Sequence, residues 1–146
     1  MSGSDTAIRA YAPADYEAAC ALWRDAGMNP FSEAALARVL AMDGAVFVAE
    51  RGCGDGDPVV IGTVMWAHNG RQAFVWRLAV ASGCRRSGVA RRLMAAVERS
   101  VRAAGFESMG LIVGKQNTAA QALYESLGWT RSEALETWWR KLPPEG

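Results

Sequence analysis

The sequence lacks the long apolar runs that carry a chain into or across a membrane. No stretch approaches the roughly 18 consecutive apolar residues of a spanning helix. Residues 1–7 are small and polar, with neither the basic start nor the apolar core of a signal peptide. We therefore expect residues 1–7 to be a flexible tail and residues 8–146 to form a single cytoplasmic domain. About half of the chain is apolar (51%), enough for one core.

Cysteine and histidine are too scarce for a disulfide framework or a zinc site. The three cysteines, Cys20, Cys53 and Cys84, cannot all pair, and none stands in a Cys-x-x-Cys arrangement. Free thiols in a reducing cytosol are the simpler interpretation. With one histidine and no Cys/His cluster, we predict no metal.

Acidic residues are absent from a long central stretch. Between Pro58 and Val97 there is no aspartate or glutamate, although the net charge of the whole chain is only +1. A chain so nearly neutral has no reason to seek nucleic acid or an anionic membrane. The same stretch carries six arginines, which favours a small anionic ligand: Arg71, Arg77, Arg85, Arg86, Arg91 and Arg92.

Periodicity predicts a layered α/β fold. Helices are expected from Pro13 to Gly27, Ser32 to Asp43, Gly88 to Ala104 and Asn117 to Leu127. A glycine-rich segment, residues 52–58, is expected to form the long tip of a hairpin. Strands are expected at Ile8–Tyr11, Ala45–Glu50, Val59–Trp66, Gln72–Ala81, Ser108–Val113 and Thr137–Leu142.

The turn from Arg85 to Ala90 has the composition of an anion site. It links a strand to a helix whose first backbone N–H groups lack intrahelical partners. Gly88 and Ala90 are small enough for phosphate oxygens to approach the backbone. The alternative is an ordinary helix start beside solvated arginines. The nucleotide P-loop pattern is absent, and no metal-holding acid lies nearby.

Two motifs resemble the GNAT superfamily of N-acetyltransferases, small bacterial single-domain type. Arg85-x-x-Gly88-x-Ala90 is similar to its acetyl-CoA motif, and Asn117-x-x-Ala120-x-x-Leu123-Tyr124-x-x-x-Gly128-Trp129 is similar to its downstream segment. The resemblance covers about Ile8 to Leu142. It implies a mixed, mostly antiparallel central sheet of about six to seven strands flanked by about four helices. The implied activity is that of a transferase moving acetyl from acetyl-CoA to a primary amine of a small molecule, a peptide N-terminus or a lysine.

The resemblance also implies which residues hold the cofactor. The strand before the turn would bind the pantetheine arm through its backbone, with the Leu78 N–H aimed at the acetyl carbonyl. Arg91 or Arg92 would reach the ribose phosphate. The full set of expected cofactor-binding residues is Leu78, Ala79, Val80, Arg85, Arg86, Ser87, Gly88, Val89, Ala90, Arg91, Asn117, Ala120 and Tyr124.

Asn117 and Tyr124 lie seven residues apart, on one face of a helix. The resemblance implies that Asn117 bonds the pantetheine arm and that Tyr124 is the general acid for the leaving thiolate. The alternatives are simple N-capping for Asn117 and core filling for Tyr124.

The general base is where the chain departs from better-known members, which place a glutamate on a central strand. The acid-free stretch removes that carboxylate. An alkylamine with a pKa of about 10.4 must still lose a proton. Glu50, His68 and a water chain remain as candidates, and we favour water. The missing carboxylate also supports a different class, an acetyl-CoA-binding sensor or interaction domain with weak turnover.

The acceptor is the least determined part of the sequence. Without nearby acids, a neutral or anionic amine fits better than a polycation. Of the adjacent Trp138 and Trp139, alternation sends one to the core and leaves the other for the acceptor pocket or a homodimer contact.

Overall fold

The computed structural model describes residues 5–145, except for the side chain of Cys53. The chain divides into two compact units, Met1–Ile112 and Val113–Gly146. The first unit contains the sheet, and the second contains the last helix.

The first unit alternates strands and helices as the sequence pattern predicts. Its strands are β1 (Thr6–Ala10), β2 (Ala45–Cys53), β3 (Gly56–His68), β4 (Ala73–Val80) and β5 (Met109–Leu111). Its helices are α1 (Tyr16–Asp25), α2 (Glu33–Ala41) and α3 (Val89–Ala103), with 3₁₀ turns at Pro13–Asp15 and Ser82–Cys84. The second unit contains α4 (Thr118–Ser126).

The strands form one mixed sheet in the order β1-β2-β3-β4-β5. The first four pair antiparallel with their neighbours, and β5 pairs parallel with β4 after the α3 crossover. Strands in sequence order need only hairpins and linkers, whereas the parallel β4–β5 pair needs a helix to return the chain. This mixed, mostly antiparallel architecture with four helices confirms the predicted fold class.

The helices pack on opposite faces of the sheet. α3 lies close to β3 because Gly62 has no side chain: a Cβ there would come within 2.9 Å of the Leu93 Cδ1 atom. On the other face α1 buries Trp23, whose indole N–H donates to the Thr63 hydroxyl (3.0 Å). Both residues are fully buried, so this polar contact fixes α1 on the centre of the sheet.

The strand count was predicted too high. Residues 5–145 form five strands rather than six to seven, because Thr137–Leu142 pairs with no strand in this part of the chain. Trp138 and Trp139 are both 86% exposed, so the prediction that one of them is core is wrong. β-Propensity makes a strand only where an edge supplies hydrogen-bond partners.

Two further boundaries differ from the prediction. The hairpin between β2 and β3 is tight, since Cys53 pairs with Gly56 and the ladder runs through the glycine-rich segment. β1 begins at Thr6, so Thr6 and Ala7 belong to a strand rather than to the expected tail. Residues 1–4 of that tail lie outside the described residues. No helix in residues 5–145 is long and apolar enough to cross a membrane.

Candidate active site

A bulge in β4 marks the centre of the first unit's candidate site. Thr63 pairs with Ala79 and Met65 with Trp76, so Val64 alone faces both Arg77 and Leu78. Arg77 takes the left-handed backbone conformation (φ 58°), which is costly for a residue with a side chain. The Thr63 hydroxyl donates to the Arg77 carbonyl across 3.0 Å and holds it there.

Beyond the bulge, one edge of β4 is open. The pairing with β5 covers Ala73–Val75, so Leu78 and Val80 have no β5 residue beside them. Ala81 donates to the Ile61 carbonyl (2.8 Å), and hydrogen-bonded positions alternate along antiparallel strands. Ala79 therefore points its backbone groups to β3 and Val80 points its own to the open edge, while Leu78 lies in the bulge next to Ala79. An extended chain can add there as another strand.

The turn after β4 ends in a helix start that is suited to an anion. Gly88 is the N-cap of α3 in the left-handed conformation (φ 83°), and within the described residues no side chain caps this helix. A Cβ at Gly88 would meet nothing within 4 Å, so the approach is open. The first N–H groups of α3, which include those of Val89 and Ala90, thus have the room and polarity for phosphate oxygens. A diphosphate fits these residues.

The arginines around this turn have distinct roles. The Arg85 Nε donates to the Val80 carbonyl (3.2 Å), and its guanidinium lies 3.9 Å from the exposed Asp25 carboxylate. Arg92 donates to the Thr6 carbonyl (2.7 Å) and ties α3 to β1. Arg91 lies exposed in the first turn of α3. Arg86 is exposed with φ 65°, and the Ser87 hydroxyl donates to the Cys84 carbonyl.

In the second unit, Asn117 is the N-cap of α4. Its side-chain oxygen accepts from the Ala120 N–H (3.2 Å), so the capping role is real. The amide nitrogen of Asn117 has no partner in residues 5–145 and remains a donor for a ligand. Capping and ligand binding are therefore compatible.

Tyr124 is positioned by the way α4 ends. Gly128 (φ 90°) donates to the Glu125 carbonyl (3.1 Å), and Trp129 donates to the Tyr124 carbonyl (3.0 Å). These are the two bonds of a Schellman motif, which brings residue 129 back over residue 124. The two rings lie 5.9 Å apart. Burial raises the pKa of the Tyr124 hydroxyl, which stays protonated at neutral pH.

Neither protein candidate for the general base lies at the β4 edge. The Glu50 carboxylate accepts from Arg9 Nε (2.9 Å) on the far side of the sheet. His68 pairs with Ala73 at the opposite end of β4, and its Nδ1 accepts from the Gly70 N–H (2.9 Å). Leu78 lies five positions after Ala73, about 16 Å along a strand.

Sequence reasoning missed the residues that shape the bulge. Arg77 was noted only as one arginine among six, and Thr63 and Trp23 only fell within a predicted strand and a predicted helix. A bulge leaves no mark in a run such as Phe74–Val80, where each residue suits a regular strand. A buried threonine in a central strand is the one available signal, since its hydroxyl needs a partner.

The family of the chain follows from comparison with known proteins. Residues 8–129 match the family described as the acetyltransferase (GNAT) family. This match covers most of the chain, which therefore belongs to the GNAT acetyltransferases. The predicted resemblance is confirmed, and the family supports acetyl-CoA as the cofactor.

Solved structures of aminoglycoside acetyltransferases share this fold. AAC(6')-Iy, in complex with the bisubstrate analog CoA-S-monomethyl-acetylneamine, is 25% identical with a TM-score of 0.74, over 95% of this chain and 100% of that one. Meta-AAC0020, from an uncultured soil metagenomic sample and in complex with trehalose, is 21% identical (TM-score 0.75; 95% and 97% covered). Apo AAC(6')-IG from Acinetobacter haemolyticus is 20% identical (TM-score 0.72; 94% and 99% covered).

Proposed function

We propose that this protein transfers an acetyl group from acetyl-CoA to a primary amine of a small molecule or a peptide, by direct attack of the amine. The open edge of β4 at Leu78 and Val80, next to the uncapped start of α3, carries this proposal. The CoA-linked analog bound to AAC(6')-Iy supports it. When bound, acetyl-CoA supplies the acetyl group as an activated thioester.

Residues of the first unit bind the cofactor and polarise its thioester carbonyl. The N–H groups of Gly88, Val89 and Ala90 hold the diphosphate through the positive end of α3. The Val80 N–H orients the extended pantetheine arm. If the Val80 carbonyl also bonds to this arm, the Arg85 side chain must first release that oxygen. The Leu78 N–H stabilises negative charge that grows on the thioester oxygen, the role of an oxyanion hole.

Tyr124 serves as the acid on the leaving sulfur. A thiol has a pKa of about 8.5 and a phenol one of about 10, and burial raises the pKa of Tyr124 further. Complete proton transfer to the thiolate is therefore uphill. The hydroxyl instead stabilises the departing sulfur chiefly by donating a hydrogen bond, and the proton itself can come from solvent.

Water removes the proton from the amine. Glu50 is held by Arg9, and His68 lies at the far end of β4. No other carboxylate is available within the stretch from Pro58 to Val97, which contributes most of β3, β4 and the start of α3. The enzyme thus depends on the small fraction of amine that has lost its proton to water, and its rate rises with pH.

The absence of a built-in base also favours a second function, a sensor that binds acetyl-CoA without efficient turnover. A thiol-release screen with acetyl-CoA over amino acids, polyamines, aminoglycosides and peptides separates the two. Saturable release with any class supports the enzyme. If acetyl-CoA raises the melting temperature but no amine releases thiol, the sensor is correct. If acetyl-CoA does neither, both functions are wrong.

A further inference from the structure

On the face of the sheet that packs against α1 and α2 (the α1/α2 face), Arg77 contributes a cationic side chain. Arg77 directly precedes Leu78, whose N–H the proposed function assigns to the thioester oxygen. Its guanidinium carbon lies 4.6 Å from the centroid of the Phe31 ring and 5.8 Å from that of Trp23. Phe31 belongs to the linker between α1 and α2, so the guanidinium is on the face opposite α3.

The guanidinium is held in place without a counterion. Its Nη1 donates to the Asn29 carbonyl, which uses one of its five N–H donors. In residues 5–145 no carboxylate pairs with Arg77. Arg77 is half-buried, and this burial lowers its pKa. A partly desolvated cation that keeps free donors is a ready partner for a carboxylate.

Exposed carboxylates belong to the helices on this face, and within residues 5–145 none of them pairs with Arg77. Asp25 is already 3.9 Å from Arg85, and Glu33 is exposed in the first turn of α2. Because α3 covers the other face of the sheet, the acceptor amine can approach the edge of β4 from the α1/α2 face. The guanidinium belongs to the residue next to Leu78, so an acceptor bound on this face can contact it.

From this juxtaposition we infer that Arg77 is the specificity-determining residue of the acceptor site and that the acceptor is an amine that also bears a carboxylate, an amino acid. The inference rests on the proposed acetyl transfer. Its chemistry differs from that of aminoglycosides, the polycationic amines named for the similar structures. The carboxylate pairs with the guanidinium while the amino group of the same molecule extends toward the Leu78 end of the edge.

The test compares L-phenylalanine with L-phenylalaninamide, which differ in the negative charge, and adds kanamycin as a polycation. We expect wild type to prefer phenylalanine in kcat/KM. Arg77→Gln should lower kcat/KM for phenylalanine by about tenfold or more, as expected for the loss of a charge-assisted pair, and leave the amide within about twofold. Arg77→Lys, which keeps the charge, should restore part of the preference.

A binding measurement makes the test independent of turnover. Calorimetry on the protein saturated with CoA should give N-acetyl-L-phenylalanine a lower Kd than N-acetyl-L-phenylalaninamide, and the difference should vanish in Arg77→Gln. If that variant does not fold, the wild-type pair and Arg77→Lys decide.

Three results would overturn the inference. The first is a wild-type preference for kanamycin in kcat/KM. The second is an equal fall in kcat/KM for phenylalanine and phenylalaninamide in Arg77→Gln, together with a lower melting temperature. The third is equal Kd values of the wild type for the two N-acetyl compounds. The second result would assign Arg77 a structural role only. Failure of acetyl-CoA to bind at all would instead show that the proposed function is wrong.

Discussion

The Thr63 hydroxyl donates to the carbonyl of Arg77 across 3.0 Å, and the same hydroxyl accepts from the Trp23 indole N–H. A single buried oxygen thus joins α1, β3 and the bulge of β4. The bulge includes Leu78 and directly precedes Ala79 and Val80, so the shape of the proposed site depends on a residue that is fully buried.

Replacing Thr63 with valine should therefore damage both stability and activity. The indole N–H of Trp23 and the Arg77 carbonyl would lose their partner, which costs about 2 kcal/mol of unfolding free energy. We expect kcat/KM to fall by roughly tenfold as the bulge relaxes. Urea unfolding and thiol release measure the two effects. Thr63→Ser keeps the hydroxyl and is the matched control; an equal loss in both variants would contradict the account.

Gly88 and Gly105 offer a matched pair for the phosphate-binding turn. Both have positive φ (83° and 97°), and an added Cβ meets nothing within 4 Å at either position. Alanine should cost each about 1 kcal/mol through backbone strain. Only Gly88→Ala should raise the Kd for acetyl-CoA, by about tenfold, because its methyl group or a shifted backbone obstructs the diphosphate. Calorimetric titration of both variants checks this, and equal Kd values would place the diphosphate elsewhere.

Tyr124→Phe should lower kcat by about a hundredfold, in the range typical of a lost hydrogen-bond donor to developing negative charge, and leave the Kd for acetyl-CoA unchanged. The ring stays against Trp129, so the melting temperature should not move. Since burial raises the pKa of Tyr124, wild-type kcat should show no loss on the alkaline side up to a pH of about 10. A variant as active as wild type would assign Tyr124 to core packing.

The Arg9–Asp15 pair should control how the free energy of unfolding falls at acid pH. Asp15 is 6% exposed, and its carboxylate accepts two bonds of 2.8 Å from Arg9, which hold its pKa below the usual value. Asp15 therefore binds its proton more weakly in the folded state than in the unfolded state. Its stabilisation is complete above the unfolded pKa of about 3.9 and is lost as the pH falls through the lower folded value.

Asp15→Asn removes this dependence. We expect about 2 kcal/mol lower stability at pH 7, because Arg9 loses a buried partner. The variant should also have a flatter profile between about pH 5 and pH 2. Urea unfolding across that range is the measurement. Parallel profiles for the two proteins would show that other carboxylates control the acid transition.

Sequence patterns predicted the elements but not the irregularities that make a site. Helical periodicity and Ser32 as N-cap located α2, and Ser32 does accept from the Ala35 N–H (3.1 Å). The Asn117 and Gly128 signals located α4 in the same way. These are local effects. The β4 bulge depends on Thr63, which is 14 residues from Arg77, and Thr137–Leu142 has strand propensity without a partner edge. Both depend on distant contacts that propensity does not contain.

The most direct test of acetyl transfer is the fate of a labelled acetyl group. The protein is incubated with acetyl-CoA carrying ¹³C in the acetyl group, together with L-phenylalanine, and the small molecules are analysed by mass spectrometry beside a Tyr124→Phe reaction. We predict N-acetylphenylalanine carrying the label, formed in proportion to the enzyme and much more slowly by the variant. Release of labelled acetate alone, or labelled product at the rate of a reaction without protein, would contradict the account.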